Sequence, residues 1–581
     1  MSEAIFIDLS GGAGARDEPE AFDHAAEWHA LPWILAMLGA LAGLVAYLLL
    51  DGSGGEEPWR VGLAAFVVFG ALTACFTLTA RRMVQAVLFS LVVGAVLGGL
   101  AFHLQRSGDA VAGTEYAFAA GVLACALALP LFQAGFLEHR FATSYARTHF
   151  HVWSDAVAGA GAGAFALLSF LLLWLVDGLL GLVGITLIEE LIQEGWPALA
   201  WAGGSFGAAL GVLRNNLKVI GTLQAVALLV LALLAVPLAA ALLVFLAALI
   251  ASQGAALWEA TDSATPVLLA CGAGCFVFAN AVIRDDDAAR SPNRVMQAAA
   301  LVLAIGILPL ALFAAISMGA RIDQHGLAPA RLWALVAIGV AVAFGLAYLV
   351  AVARGRRAGW AERLRAANLR LAAGVCVLAL LLALPIMDFG AISARNQVAR
   401  LAAGKVSADA FDYQALRWDF GAAGRAALAR LARGEGRAAE LAAAARAQDE
   451  RSYRPIDPGE RERVLRNLRI EGGDRQLRRA LTEFVADNSW RCPEPGCAAI
   501  VAGPITRGTH VVLVSGVNVA HLRVGADGVV NEISVLDGSL VATDLVPPAR
   551  TPPAPGARVE VRRFSGRQVY VDGRPVGQPF Q

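Results

Sequence analysis

The sequence predicts an α-helical polytopic membrane bundle of about eleven transmembrane helices, followed by a C-terminal extracytoplasmic α+β domain. Three observations carry that expectation. First, the 581 residues are 57% apolar and only 16% charged, with mean hydropathy +0.61; soluble domains carry about 25% charged residues. Second, Arg354, Arg356, Arg357, Arg363, Arg365 and Arg370 sit between the apolar runs 332–352 and 371–387. Each run approaches the ~20 residues a helix needs to cross a ~30 Å hydrocarbon core, and a dense arginine segment between two spans marks the cytoplasmic side. Third, the composition changes after residue 388, where Ala/Arg/Leu-rich sequence gives way to alternating apolar stretches broken by turn signals.

Residues 1–30 are polar and glycine-containing, and read as a cytoplasmic tail without the basic start that a signal peptide needs. Candidate spans follow at 31–50, 61–80, 83–103, 117–136 and 156–176. The stretch 197–213 is short and built of small residues, with Gly203, Gly207 and Gly211 at four-residue spacing. That pattern fits a tightly packed span or a re-entrant hairpin. Later spans are expected at 224–251, with Pro237 inside, 265–283, 295–318, with Pro309 inside, 331–352 and 369–388. Charge decides the doubtful stretch. With eleven spans and an inner N-terminus, inner segments hold sixteen Lys and Arg, whereas the outer loops between spans hold Arg60, Arg106, Arg321 and Arg331. The transmembrane domain is thus expected over 31–388.

Residues 389–490 read as a helical extracytoplasmic region, including one or two helices over 458–488, and 491–581 as a small β-rich subdomain. Strands are expected at 510–515, 518–524, 529–536, 558–564 and 568–571, with Asp527-Gly528, Asp537-Gly538 and Asp572-Gly573 as turns. Cys492 and Cys497 frame Cys-Pro-Glu-Pro-Gly-Cys, whose prolines and glycine favour a reversal tight enough for a disulfide. In an oxidising compartment the pair should be closed. A zinc site would need two further ligands, and His510 is the only nearby candidate.

The run Ile392-Ser-Ala-Arg395-Asn396-Gln397-Val-Ala-Arg400-Leu401, followed by Phe411-Asp412-Tyr413 and Leu416-Arg417-Trp418-Asp419, resembles the post-membrane segment of a bacterial polytopic family catalogued as domain of unknown function 4153. The resemblance spans roughly residues 31–433. It implies a multi-pass bacterial membrane protein and supplies no catalytic residue.

The candidate functional groups are acids at predicted outer ends: Asp177, Glu259, Asp262, Glu56 and Glu57. Asp177 lies between the apolar runs 171–176 and 179–185, where a carboxylate is costly unless paired, hydrated or protonated. Arg214 or Lys218 would reach it only if 197–213 were re-entrant; the plainer reading is an interfacial helix end beside Gly178. Glu56-Glu57 resembles the acid pair that multi-span glycosyltransferases carry in a first outer loop, but the loop 51–60 is too short for their catalytic helices. His149 and His151 would share a strand face, not a helix face. They belong to a basic and aromatic inner loop expected at the headgroups, with Phe136, Phe141, Tyr145, Phe150 and Trp153 as anchors. Asn280 is expected to hydrogen-bond a neighbouring helix, and 285–287 to form a charged turn. Asp412, Arg417 and Asp419 read as helix-surface ion pairs.

No Walker loop, His-Glu-x-x-His motif or nucleophile elbow is present, so no cofactor or metal is expected. The formal net charge is zero, which argues against a nucleic-acid partner. The expected partners are the lipid bilayer and an envelope protein. The expected function is a non-enzymatic envelope sensor, scaffold or assembly factor in the bacterial inner membrane. A secondary transporter using intramembrane acids comes second, and a metal-dependent lipid-linked transferase third.

Overall fold

A computed structural model describes residues 28–52, 55, 57–186, 189, 194–252, 264–355, 359–448, 450–451, 460–492, 496–505, 508–515, 518–533, 559–563, 567–571 and 574–580. Among them, eleven helices are long and apolar enough to cross a membrane. They are α1 Leu31–Leu50, α2 Pro58–Thr77, α3 Met83–Ser107, α4 Thr114–Gln133, α5 Tyr145–Gly181, α6 Trp196–Asn215, α7 Leu217–Ala251, α8 Thr265–Ile283, α9 Arg294–His325, α10 Pro329–Gly355 and α11 Trp360–Ala383. A shorter helix, α12 Phe389–Ala402, follows, its first turn capped by Asp388, which accepts from the amide of Ala391 at 2.8 Å. The chain divides into two compact units: residues up to 407 with 411–428, and residues 408–410 with 429–581.

The doubtful stretch is a continuous helix, α6, that packs along α1. Gly203 stands against the backbone of Gly39, Gly207 against Leu35 and Gly211 against Pro32, so closely that a Cβ on any of them would strike main-chain atoms. The four-residue glycine spacing therefore serves backbone contact between two helices, which removes the re-entrant alternative. In the other half, α9 is the central element. Leu303, Ala304, Ile307 and Leu310 are buried against Ala279, Val282 and Ile283 of α8 and Leu364 of α11.

Two boundaries differ from expectation. The stretch 145–155 is not a loop but the first three turns of the 37-residue α5. It contains neither Gly nor Pro, and its small and aromatic side chains pack inward; Thr148, His149 and Ser154 are buried. The arginine-rich stretch is likewise mostly helix, because α10 runs through Gly355 and α11 starts at Trp360.

α12 fastens the turn between α9 and α10. Asn396 Oδ1 accepts from the amide of Leu327 at 2.9 Å, and Gln397 Nε2 donates to the carbonyls of His325 (2.8 Å) and Leu327 (2.9 Å). Arg400 donates to the carbonyl of Gln324 at 2.9 Å. Further on, Asp412 accepts from the amide of Ala415, and Arg417 lies over the Trp418 ring. Asp412 thus serves a local turn and Arg417 a cation–π contact.

The second unit contains α14 Arg437–Arg446, α15 Glu460–Asn467 and α16 Arg475–Asp487, while α13 Gly421–Leu431 straddles the division. A five-stranded sheet follows the order β1 Leu468–Glu471, β2 Cys497–Ile505, β3 Gly508–Ser515, β4 Asn518–Val524 and β5 Val530–Glu532. β1 was not expected, since 458–488 reads as helical. Four residues with two charges give too little alternation to register, and β1 is held by parallel pairing to β2, 29 residues away at Leu468–Cys497. The other neighbours are antiparallel. α16 covers one sheet face, its Leu477, Leu481 and Val485 packing with Ala499, Val511, Leu513, Leu522 and Val524. Cys492 and Cys497 form a disulfide with Cα atoms 5.0 Å apart. A separate antiparallel sheet comprises β6 Val559–Arg563, β7 Arg567–Val571 and β8 Arg574–Phe580.

Candidate functional site: a buried polar ring

Four helices contribute side chains to one buried polar cluster. Asn280 on α8 donates from Nδ2 to the Tyr348 hydroxyl on α10 at 2.8 Å. That hydroxyl donates to Asn368 Oδ1 on α11 at 2.7 Å, and Asn368 Nδ2 donates back to Asn280 Oδ1 at 2.7 Å. The ring is closed. The second Asn280 amide hydrogen goes to the carbonyl of Phe276 (2.7 Å) and the second of Asn368 to the Tyr145 hydroxyl on α5 (3.3 Å). Tyr348 is fully buried, and Asn280 and Asn368 nearly so. In surroundings this apolar an unpaired amide costs several kcal/mol, so such groups stay only when they satisfy one another. Tyr145 thus belongs to this cluster.

One turn before Asn368, the side chain of Arg365 is only 7% exposed. Its Nε donates to the carbonyl of Arg284 at 3.1 Å, and Nη2 donates to the carbonyl of Ile283 and to Asp287 Oδ1, both at 3.0 Å. The last carbonyls of a helix lack intrahelical partners and carry the negative end of its dipole, so a guanidinium there meets both needs. Arg284 itself has φ +55 and ψ −158, a positive-φ conformation outside the left-handed helical well that a non-glycine residue adopts at a cost.

The same device recurs at α2. Arg214, at the end of α6, donates to the carbonyls of Cys75 and, at 2.8 Å, Leu78. Asp155 on α5 lies within electrostatic range of that guanidinium, and Gln133 Nε2 donates to the carbonyl of Phe76 at 3.1 Å. Among the described residues, Asp155 Oδ2, Gln133 Oε1 and His149 Nε2 are buried without a hydrogen-bond partner. His149 lies between Tyr145 and Trp153, with ring centroids 5.8 and 6.3 Å away and planes tilted by 44° and 52°. His151, two residues on along the helix, lies in the field of Arg214 and Arg147. On a helix the two imidazoles take different faces, as the spacing requires.

The acids singled out from sequence lie elsewhere. Asp177 is half-buried near the end of α5, whose last four turns are largely exposed and apolar. Among the described residues it makes no hydrogen bond or ion pair, and Arg214 is engaged at α2. Glu57 accepts from Trp59 Nε1 at 2.7 Å. Glu56, Glu259 and Asp262 lie outside the described residues, as do Arg356 and Arg357. Arg354, Arg363 and Arg370 are exposed, whereas Arg365 turns inward. Asn280 was legible as an interhelical hydrogen-bonder; Tyr348, Asn368 and Tyr145 were not. The available signal was the three-residue step from Arg365 to Asn368, which puts both on one face of α11. No group of three His, Cys, Asp or Glu that could hold a metal occurs among the described residues.

A family model described as Domain of unknown function (DUF4153) matches residues 63–431, which contain the whole ring, both arginine caps and the α12 fastening. Comparison with curated proteins and with solved structures yields no match.

Proposed function

The chain belongs to the DUF4153 family, and on that premise we propose that it is a non-enzymatic envelope scaffold of the bacterial inner membrane that presents its C-terminal unit to a protein partner outside the cytoplasm. The observation that carries this reading is the closed ring of Asn280, Tyr348 and Asn368, whose hydrogen bonds are all spent on each other, on Phe276 and on Tyr145. Such a ring fixes helices in one arrangement and offers no free ligand to a passing solute. Two features support the placement and the partner. The positive-inside distribution favours an outer end for α11, in a compartment where the Cys492–Cys497 disulfide would be chemically stable. On the C-terminal unit, Trp490 is 53% exposed with the Arg491 guanidinium 4.2 Å from its ring centroid, the residue pair most enriched at interface hot spots.

The test is complementation of a deletion strain. The full chain should restore the phenotype, and a chain ending at Leu428 should insert yet fail to restore it. Full rescue by the truncated chain would sink the scaffold reading. Orientation is checked separately. A reporter active only in the cytoplasm should work after Arg357 and fail after Arg395, and Cys492 and Cys497 should resist alkylation until reduced.

A secondary transporter is the second reading, favoured by Asp155 Oδ2, a buried carboxylate oxygen that makes no hydrogen bond among the described residues. Asp155→Asn should then abolish solute-dependent growth without lowering expression, whereas a scaffold would tolerate it.

A further inference from the structure

The turn between α9 and α10 gathers more positive charge than its own structure uses. Arg331, in the first turn of α10, donates from Nη1 to the carbonyls of His325 (3.2 Å) and Gly326. Arg400 of α12 approaches the same turn. Its Nη2 donates to the carbonyl of Gln324 at 2.9 Å, and its Cδ lies over Gly326, where a Cβ would stand 2.7 Å from it. Two guanidiniums thus converge on three successive residues. Arg321, in the last turns of α9, and Arg400 both act on Arg331 through their charge, and the opposing charge there is Asp412. Asp412 Oδ1 also accepts from the amide of Ala415 at 2.9 Å. Asp323, two residues from Arg321, is exposed. Among the described residues, none of the three arginines forms an ion pair, and Arg321 makes no hydrogen bond.

Helix capping accounts for only part of this. A helix C-terminus carries roughly half a negative charge. The other two arginine caps set one guanidinium and one acid at a helix end, Arg365 with Asp287 at α8 and Arg214 with Asp155 at α2. Here the end of α9 and Asp412 stand against three guanidiniums, and like charges in range of one another are unfavourable until a counter-charge joins them. Orientation does not explain them either. Arg321 and Arg331 are two of the four Lys or Arg that the charge count assigns to outer loops, so they run against the positive-inside bias.

Nε and Nη2 of Arg331, Nε and Nη1 of Arg400 and the whole fork of Arg321 take no part in the carbonyl bonds. All three side chains are half-buried, hence held yet reachable. Planar forks around one point match the oxygens of a phosphoryl group, whose charge also exceeds that of a carboxylate. The turn joins two helix ends, the depth at which a bilayer holds its phosphates.

We propose that this turn binds a phosphoryl group, carried by a lipid headgroup or by a soluble phosphate, between Arg321, Arg331 and Arg400. The site goes beyond the scaffold reading and uses no part of it.

The experiment uses the full chain in neutral detergent. Native mass spectrometry reads binding of phosphatidic acid against phosphatidylcholine of the same chains, and equilibrium dialysis reads radiolabelled pyrophosphate. At least one phosphoryl probe should saturate. Arg321→Gln, which removes no hydrogen bond of the fold, should weaken that binding about tenfold, the weight of one charge-assisted contact. Asp412→Asn keeps a capping side chain and removes the opposing charge, so it should tighten binding about two- to fivefold; a gain of this kind cannot come from misfolding. Arg363→Gln, an exposed arginine at the other end of the α10–α11 hairpin, should change nothing. Phosphatidic acid that pyrophosphate does not displace identifies a lipid headgroup. Pyrophosphate that phosphatidic acid does not displace identifies a soluble phosphate, and mutual displacement identifies a site open to both. Saturation by neither probe, equal binding of phosphatidylcholine with no pyrophosphate bound, native affinity in Arg321→Gln, unchanged or weaker affinity in Asp412→Asn, or an equal loss in Arg363→Gln would overturn the assignment.

Discussion

Tyr348→Phe deletes one oxygen and nothing else from a fully buried side chain. Two ring bonds disappear, the 2.8 Å bond accepted from Asn280 and the 2.7 Å bond donated to Asn368. Each bond is worth about 0.5–1.5 kcal/mol net, and a buried group left unpaired costs about 1–3 kcal/mol. Interhelical hydrogen bonds within membranes average nearer 0.6 kcal/mol, with a maximum near 1.7. Since Asn280 keeps the Phe276 carbonyl and Asn368 keeps Tyr145, the loss should fall at about 1–3 kcal/mol. The assay is equilibrium unfolding in mixed micelles with rising dodecyl sulfate. Combined with Asn368→Leu it becomes a double-mutant cycle. A closed ring requires the two substitutions to couple by more than about 0.5 kcal/mol, because whichever comes first already breaks the circuit. Strict additivity, or a single-mutant loss below about 0.5 kcal/mol, would refute the ring as a stabilising unit.

Arg365→Gln should cost about 2–4 kcal/mol in the same assay and Asp287→Asn less than about 1 kcal/mol, because the guanidinium is buried on backbone carbonyls while the carboxylate is 55% exposed; equal losses would mean that the ion pair, not the helix cap, matters. Gly203→Ala should destabilise by about 3 kcal/mol, since the new methyl meets the Gly39 backbone, while Gly221→Ala, with open space around it, should be neutral or slightly stabilising; melting in detergent distinguishes them. His521 is buried and hydrogen-bonds His510 at 3.0 Å, and burial first, then that neighbour, pushes its imidazole from 6.5 down to about 4. The folded state therefore favours the neutral ring, so this contribution to stability is present above pH 6.5 and is lost as pH falls through about 4. Protection factors of the β3–β4 amides, taken against the intrinsic exchange rate at each pH, should fall between pH 7 and 4.5, and His521→Gln should flatten that dependence; pH-independent protection in the native chain would contradict it.

What could be read from sequence was what local pattern determines. Hydropathy and length located eleven helices, the four-residue spacing of Gly203, Gly207 and Gly211 marked a close helix contact, and the Cys-Pro-Glu-Pro-Gly-Cys turn marked a disulfide. The ring was hidden because its members are far apart in sequence, 68 residues from Asn280 to Tyr348 and 88 to Asn368, and no periodicity links them. Tyr348 near a helix end looks like an interfacial aromatic. Arg365 among five other arginines looks like one more topological charge. A charge-rich helix start conceals which side chain turns inward, because only packing against α8 separates Arg365 from its exposed neighbours Arg363 and Arg370. The carboxylates, by contrast, drew notice for their cost in an apolar setting, and Asp177 sits where its helix has few neighbours to answer it.

The helix caps also impose an order on biogenesis. The carbonyls at the end of α2 wait for Arg214, 139 and 136 residues later in the chain, and those at the end of α8 wait for Arg365, 82 residues later at Ile283. The turn after α9 waits 72 residues for Gln397. At the usual ~5–20 residues per second of synthesis, each hairpin spends roughly 4–28 s in the bilayer before its closing side chain emerges. During that interval the exposed carbonyls are met by water and lipid headgroups, so the early hairpins wait as loosely joined inserted helices. A ribosome that stops before residue 389 therefore leaves a product with every span inserted and the α9–α10 turn unclasped. Such a product lacks no membrane helix, yet the backbone groups of Gln324, His325 and Leu327 go without their closing side chains.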